Sequence, residues 1–281
     1  SVNACTPGCF TAPVKTYHYE DPHNWALTDP VCSLGSRQSP ICIDPLETVP
    51  FLTSRFQPSY VSVPPKVELQ NSGHNLLVKA PSGSGGFGTL LTNDDQVWEA
   101  DSYHIHGLGE HLINSKPAAM ELHIVHLPQG TRSATHSYDV SLLSQERRHL
   151  SRQDLNRTSP DGPLTFGVTV VGILIDIGLT TNPCIQQLLY PDLPKEGCTA
   201  CITKPVDLGR CFGEQLGGPY WYYSGSFTTP PCTEQVQWYV MAKRATITAL
   251  DLARFKTLGF QDPANNRPVQ PLNGRVVYFK P

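Results

Sequence analysis

The sequence predicts a mostly β protein in a single domain, with helices as accessories. Runs rich in Val, Ile, Thr and Tyr are separated by turns, and the chain has 26 Pro and 22 Gly; this pattern favours short strands joined by many loops. Residues 164–177 form a nearly continuous apolar run of β-branched residues, which is typical of a central strand covered on both faces. No repeat or linker divides the 281 residues, so we expect one domain spanning 1–281.

The remaining elements follow from local patterns. Residues 1–16 contain two Cys and two Pro without periodicity and are predicted to be an N-terminal extension. Residues 129–163 are polar and lack β alternation, so we interpret them as a surface insertion, with a short helix at 141–148. Residues 248–258 predict an amphipathic helix, with Thr248 as its N-cap and Gly259 as its stop. Further extended segments are predicted at residues 56–63, 66–70, 74–79, 220–227 and 234–241.

Composition excludes several classes of function. The net charge is −3 and the pI about 6.3, so the sequence gives no sign of binding to nucleic acid or to an anionic membrane. No apolar run reaches the length of a membrane span. Residues 81–88 are Gly-rich, but they lack the G-K-[ST] ending and the following helix of a phosphate-binding loop. We interpret them as a hairpin loop.

The chain has nine Cys, which favours an oxidising compartment, and we predict a secreted, extracellular or periplasmic protein. Cys5 and Cys9 are predicted to pin the N-terminal extension. Residues 198–201 form a C-x-x-C without a partner motif or a βαβ context, so disulfide formation is favoured over a zinc or redox site. Asn156 begins a glycosylation sequon. The odd number of Cys requires one that is free or intermolecular, and the latter would support a homodimer.

Residues 102–126 hold five of the ten His residues. His104 and His106 are two positions apart, and so are Glu121 and His123, so each pair shares one face of a strand. If the two strands are neighbours, His123 completes a cluster of three imidazoles. Three nitrogen ligands with one open position are the arrangement of a catalytic zinc. A single His in an amphipathic strand is more often a surface or core residue, so this spacing alone leaves both interpretations open.

Several motifs in order resemble those of the α-class carbonic anhydrases, over nearly the whole chain. The similarity implies their fold: a large central, mainly antiparallel twisted sheet with short peripheral helices. The chain departs from the family pattern at two points. Gly107 follows the H-x-H pair, and the connection from His106 to Glu110, residues 107–109, is shorter than in the family. The matching motifs are RQSP at 37–40, NSGH at 71–74, H-x-H at 104–106, ELH at 121–123, S-x-T-T-P-P at 226–231 and RPVQPL at 267–272.

The resemblance implies a Zn²⁺ enzyme, one ion per chain, that hydrates CO2 reversibly to bicarbonate and a proton by attack of zinc-bound hydroxide. Its metal ligands would be His104, His106 and His123. Thr228 and Glu110 would orient the hydroxide. His74 would carry the proton to solvent, at neutral pH where imidazole both accepts and releases it, and Tyr19 would help to order the water chain.

Further residues are implied in the same way. Glu121, Ser102 and the backbone near Asn265 would orient the ligands His123, His104 and His106. Cys32 and Cys232 would form the disulfide found in extracellular members. Sulfonamides and anions would be inhibitors. The CO2 and bicarbonate site would be lined by Thr229, Val125, Val170, Phe227, Val236 and Trp238.

Two other functions compete with this one. A carbonic-anhydrase-like binding or adhesion module that has lost catalysis would keep the fold, but such relatives usually lack a ligand His, and all three are present here. A zinc hydrolase of another fold would require a carboxylate base beside the metal, as in H-E-x-x-H, and this motif is absent from the sequence.

Overall fold

The structure, a computed structural model, describes residues 5–9, 17–131, 167–190, 193–258 and 264–281. Most of the predicted insertion, its predicted helix at 141–148, the sequon at Asn156 and the predicted helix stop Gly259 lie outside these ranges. Within them the protein is mostly β, as predicted.

The strands are short in the first part of the chain and long around the centre. In chain order they are Gly8–Cys9 (β1), Cys42–Ile43 (β2), Val49–Pro50 (β3), Gln57–Tyr60 (β4), Val67–Asn71 (β5), Leu76–Lys79 (β6), Gly88–Leu91 (β7), Val97–His106 (β8), Leu112–Ile113 (β9), Lys116–Pro117 (β10), Met120–Pro128 (β11), Val168–Ile177 (β12), Cys198–Ile202 (β13), Tyr220–Ser226 (β14), Glu234–Ile247 (β15) and Tyr278–Lys280 (β16).

One 13-stranded sheet organises the described residues, in the order β1-β13-β5-β6-β8-β11-β12-β15-β14-β16-β3, with β7 joining β4 to β8. Its pairs are antiparallel except β12 with β15 and β16 with β3. The predicted large and mainly antiparallel twisted sheet is confirmed. Strands β10, β9 and β2 form a second, small sheet.

Strand β12 lies near the middle of the large sheet, between β11 and β15. Its first eight residues are buried, which accounts for the continuous apolar run, since both faces of the strand are covered. The neighbouring β15 extends to Ile247, six residues beyond the prediction. The strand continues through this polar end because Ala245 pairs with Ile175 of β12 and Arg244 binds Asp176 at 2.8 Å. Local sequence does not reveal these interactions.

Helices are short and lie around the sheet. The predicted C-terminal helix runs from Ala249 to Phe255, capped by the Thr248 side chain, which accepts from the amide of Asp251 at 3.2 Å. No helix in the described ranges is both long and apolar enough to cross a membrane. The helices are Val31–Leu34 (α1), Pro183–Leu189 (α2), Leu208–Leu216 (α3) and Ala249–Phe255 (α4), with 3-10 turns at Pro22–Leu27 and Pro45–Glu47.

The sheet separates two apolar layers, because alternate residues of each strand point to opposite faces. Ile105, Leu122 and Ile173 belong to the larger layer. Val170 and Trp238 belong to the smaller layer on the other face. The alternation predicted for β8 and β11 therefore places His104, His106 and His123 on the face of the smaller layer.

Disulfides tie distant parts of the chain together. The sequence predicts disulfides for the C-x-x-C and for the N-terminal extension, and both segments form them. It leaves the partners open, and the structure pairs the two segments with each other, which joins β1 to β13. Cys42 is the free Cys among the nine, all of which are described. The pairs are Cys5–Cys201, Cys9–Cys198, Cys32–Cys232 and Cys184–Cys211.

Candidate metal centre

Three imidazoles meet on strands β8 and β11. The strands are antiparallel neighbours, and His123 pairs directly with His104. The ring centroids of His104, His106 and His123 lie 4.6 to 5.2 Å apart, and one nitrogen from each lies within 4.8 Å of the others. Burial lowers the pKa of all three, which favours the neutral imidazole that binds metals.

The backbone of Asn265 fixes the orientation of His106. Its carbonyl oxygen lies 2.7 Å from Nδ1 of His106, so Nδ1 carries the proton and Nε2 keeps its lone pair. That Nε2 is buried without a hydrogen-bond partner among the described residues. A buried acceptor without a partner is costly in an apolar interior, and a cation beside it would remove the cost.

Glu121 fixes the orientation of His123. Its Oε1 lies 2.9 Å from Nε2 of His123, which leaves Nδ1 to face the cluster. Its Oε2 accepts from the amides of Glu110 and His111, each at 2.8 Å. Burial opposes ionisation of this carboxyl, but the charges and hydrogen bonds of His111 and His123 hold its pKa well below the usual range.

His111 also belongs to this site, although the sequence patterns did not single it out. Its Nδ1 lies 2.6 Å from Oε1 of Glu121, and its Nε2 lies 2.7 Å from the hydroxyl of Tyr223. The side chain is fully buried. Only its position directly after Glu110 distinguishes it in the sequence, because the strands that surround it come from distant parts of the chain.

Ser102, the predicted partner of His104, is not brought into hydrogen-bonding contact with it. The two residues share a face of β8, yet no hydrogen bond joins them in the part of the chain that the structure describes. The serine side chain is too short to reach the ring two positions away. Among the described residues, none forms with the His104 ring a hydrogen bond like those that orient His106 and His123.

A buried carboxyl lies next to the imidazole cluster. Oε1 of Glu110 accepts from the amide of Arg267 at 2.8 Å, and Oε2 lies 3.5 Å from Nε2 of His106. Burial raises the pKa of Glu110 to about 7, while the His123 charge and the nearby Thr228 hydroxyl act in the opposite direction. The shortened connection before Glu110 has not displaced it from the cluster.

The loop that carries Thr228 is held at both ends. At the end of β14, Ser226 and Ser39 are joined by two hydrogen bonds, of 2.9 and 3.0 Å. Beyond the loop, the disulfide of Cys32 and Cys232 ties the chain to the N-terminal part of the protein. The side chain of Thr228 is buried, and that of Thr229 is partly exposed.

An apolar wall flanks the cluster. The indole of Trp238 lies 4.8 Å from the His123 ring between centroids. The residues predicted to form a CO2 site fall in one contact cluster of the smaller apolar layer: Val125, Val170, Phe227, Val236 and Trp238.

His74 lies in the turn between β5 and β6, and its ring packs against two tyrosines near the N-terminus, Tyr17 and Tyr19. Its ring stacks on Tyr17, with centroids 4.0 Å apart and planes 9° from parallel. Tyr19 contacts it edge-on at 6.3 Å. The Nδ2 atom of Asn265 donates to the carbonyl oxygen of His74 at 2.7 Å, so one residue connects this turn to His106 of the imidazole cluster.

A large twisted sheet whose central strands present three imidazoles backed by a buried carboxylate is the architecture of an α-type carbonic anhydrase. A model of the eukaryotic-type carbonic anhydrase family matches residues 20–144 and 149–281. The chain belongs to that family.

Individual relatives are moderately similar to this chain. A carbonic anhydrase of Neisseria gonorrhoeae is 28% identical over 92% of this chain and 84% of that protein. Dioscorin DB3L of Dioscorea polystachya is also 28% identical, over 92% and 82%. The α-carbonic anhydrase of Thermovibrio ammonificans, solved with the inhibitor sulfanilamide, superimposes with a TM-score of 0.70 at 26% identity and covers 96% of this chain and 99% of that one.

Proposed function

We propose that this protein is a zinc-dependent carbonic anhydrase that hydrates CO2 reversibly to bicarbonate and a proton. The observation that carries the proposal is the cluster of His104, His106 and His123, in which the second nitrogen of two rings is engaged by Asn265 and Glu121. Three neutral donors then converge from one side, as a catalytic zinc site requires. Membership of the family supports the reaction, although the family also includes proteins named dioscorin.

The donor set fits Zn²⁺. His106 offers Nε2 and His123 offers Nδ1, because hydrogen bonds to Asn265 and Glu121 occupy the other nitrogens. Zinc, when bound, supplies a Lewis acid that makes hydroxide available from water at neutral pH. Neutral imidazoles suit this task, since anionic ligands would reduce the positive charge that acidifies water.

Thr228 and Glu110 orient the nucleophile in this proposal. Glu110 accepts the amide proton of Arg267 and thereby keeps one oxygen free to face Thr228. A Thr hydroxyl that donates to this carboxyl can only accept from solvent on its other side. The nucleophile would therefore point a lone pair, rather than its proton, toward the apolar wall beside Trp238. Thr229, next along the loop, would bind bicarbonate.

His74 would pass the proton to bulk water, with Tyr19 ordering the solvent between it and the zinc. An imidazole titrates near neutral pH and can both accept and release a proton there. Its place on a turn at the protein surface, joined to His106 through Asn265, supports this role.

We extend the proposal to the location of the protein, its inhibitors and its domain organisation. Four disulfides support a secreted or periplasmic location, because such bonds persist in oxidising surroundings. A sulfonamide would inhibit the enzyme by entering the open position. The whole chain would act as one domain.

Metal analysis and stopped-flow CO2 hydration on the purified protein test the proposal. We expect one zinc per chain, turnover that a sulfonamide abolishes, and loss of both metal and activity in His104→Ala. His23→Ala, an exposed His outside the cluster, should retain both. A folded protein that binds zinc and yet leaves CO2 unchanged would refute the enzyme and favour the binding module.

The proton path has its own test. His74→Ala should keep its zinc but turn over more slowly at low buffer concentration, and added imidazole should restore the rate by replacing the missing base. An unchanged rate at low buffer would remove His74 from the mechanism.

A further inference from the structure

The side chain of Asn265 joins the end of β8 to the turn that carries His74. Its Oδ1 accepts from the main-chain amide of Gly107 at 2.6 Å. Its Nδ2 donates to the main-chain carbonyl of His74 at 2.7 Å and to that of Ile105 at 3.3 Å. Because Asn265 is fully buried, both ends of its side-chain amide are satisfied by the main chain rather than by solvent.

The register of the sheet shows which contact this amide replaces. Strands β6 and β8 are antiparallel, with Leu76 opposite Ile105. The same register, continued by two residues, would place His74 opposite Gly107. Neighbouring strands lie about 4.8 Å apart and hydrogen-bond directly. Here the amide of Gly107 and the carbonyl of His74 are instead connected through two hydrogen bonds, with the Asn265 amide group between them. The side chain thus stands where the ladder between β6 and β8 ends, and it holds the two segments apart.

The turn itself is held together by its own side chains. The His74 amide donates to Oγ of Ser72 at 3.2 Å, and the Gly73 amide donates to Oδ1 of Asn71 at 2.9 Å. Because these contacts lie within the turn, a shift at the His74 carbonyl moves the turn as a unit and carries the imidazole with it. The contact with Asn265 therefore sets the position of the turn relative to β8.

The main chain of Asn265 contacts the other end of the proton path, since its carbonyl oxygen lies 2.7 Å from Nδ1 of His106. The residue thus meets the imidazole cluster with its backbone and the turn with its side chain. We propose that Asn265 is a positioning residue whose side-chain amide is a spacer: it sets the distance between the imidazole cluster and His74, over which the proton leaves the site. The inference rests on the proposed function, because it assigns a role in the proton path of that reaction.

Two variants of Asn265 test the spacer in the full-length, zinc-loaded protein. Asn265→Ala removes the amide group. Asn265→Asp keeps its size and its acceptor for Gly107, but presents an oxygen to the carbonyl of His74. Asn266→Ala, at the partly exposed next position, is the matched control. The measurements are crystal structures of the variants, zinc content, kcat/KM for CO2 hydration, and kcat at low and high buffer.

In Asn265→Ala the turn should close onto β8, with a direct hydrogen bond from the Gly107 amide to the His74 carbonyl. In Asn265→Asp the turn should move away from β8, because a carboxylate oxygen has no proton to donate to a carbonyl. We expect kcat at low buffer to fall roughly tenfold in both variants through lost orientation, with recovery on adding imidazole. The value of kcat/KM in Asn265→Ala should be retained, because CO2 is converted before the proton is released. Both variants keep the main-chain carbonyl that orients His106, so zinc content should be unchanged.

A turn that keeps its wild-type position in both variants would overturn the inference, and so would an unchanged kcat at low buffer in a variant whose turn has moved. An equal loss of kcat at low and high buffer would also overturn it, because it would indicate a general structural defect. If Asn265→Ala fails to fold, Asn265→Asp decides alone, since it preserves the size of the side chain. A wild-type protein that leaves CO2 unchanged would refute the proposed function separately, and the crystal structures would still decide whether Asn265 sets the position of the turn.

Discussion

The main-chain amide of Arg267 donates to Oε1 of Glu110 at 2.8 Å, across 157 residues of sequence. The amide is held in place because the Arg267 guanidinium donates to the carbonyls of Ser39 and Cys32, at 2.8 and 2.6 Å. One oxygen of Glu110 is therefore always occupied by a donor, and the other is directed at the imidazole cluster. This single contact gives the carboxyl a fixed direction.

Glu110→Gln should lower kcat for CO2 hydration roughly a hundredfold, the usual scale for losing one oriented polar group in an active site. The amide offers only one accepting atom, so Arg267 and Thr228 cannot both donate to it. Zinc content should be unchanged, because Glu110 is not one of the proposed ligands. Glu68→Gln, at an exposed position of β5, is the control, and full activity of a zinc-loaded Glu110→Gln would contradict the assigned role.

Glu121→Gln should weaken zinc binding by roughly 10- to 100-fold, the effect of losing an outer partner of a metal ligand. The carboxylate accepts from four N–H groups, two of them on His111. An amide would present its own N–H groups to some of these donors. Competition with a zinc chelator measures the change. Equal affinity in the variant and in the exposed control Glu47→Gln would show that His123 is oriented by other means.

His126 should make stability depend on pH. Burial lowers its pKa from 6.5 to about 4; its ring lies 2.9 Å from the Tyr60 hydroxyl and 3.2 Å from the Thr169 carbonyl. Between pH 6.5 and about pH 4, His126 is protonated in the unfolded chain but stays neutral in the folded chain. The free energy of unfolding should therefore fall by roughly 3 kcal/mol as the pH drops through this window, and should be recovered above it.

Urea denaturation between pH 4 and 7 measures this contribution. His126→Gln should show a shallower decline than the wild type over the window, since the replacement does not titrate. His23→Gln, which changes an exposed His, should follow the wild type. Parallel curves for all three proteins would mean that other groups cause the acid sensitivity.

Cys42 should be the one reactive thiol in the protein, because the other eight Cys are paired. Thiol titration in denaturant without reductant should give one equivalent per chain, and none in Cys42→Ser. A wild-type value near three would mean that one of the four disulfides does not form. A value near zero would indicate that Cys42 is consumed in a bond between chains.

The sequence determined the elements whose signal is local. Alternation placed His104 and His106 on one face of β8 and paired Glu121 with His123 on β11, because side-chain direction in a strand depends only on residue parity. The apolar run predicted the buried strand β12, and Thr248 marked the start of α4. The motifs, in their order along the chain, indicated the family, and the resemblance implied the disulfide between Cys32 and Cys232.

Only the tertiary structure decided which distant groups meet. His111 joins Glu121 to Tyr223, Arg267 fixes Glu110, and Tyr17 covers His74, although nothing near these residues in the sequence indicates their partners. The same holds for the far end of β15, where pairing with β12 overrides a polar sequence, and for Ser102, which faces His104 without bonding to it. Contacts of this kind depend on the register and distance between strands, and these are set when the whole sheet assembles rather than by any single segment.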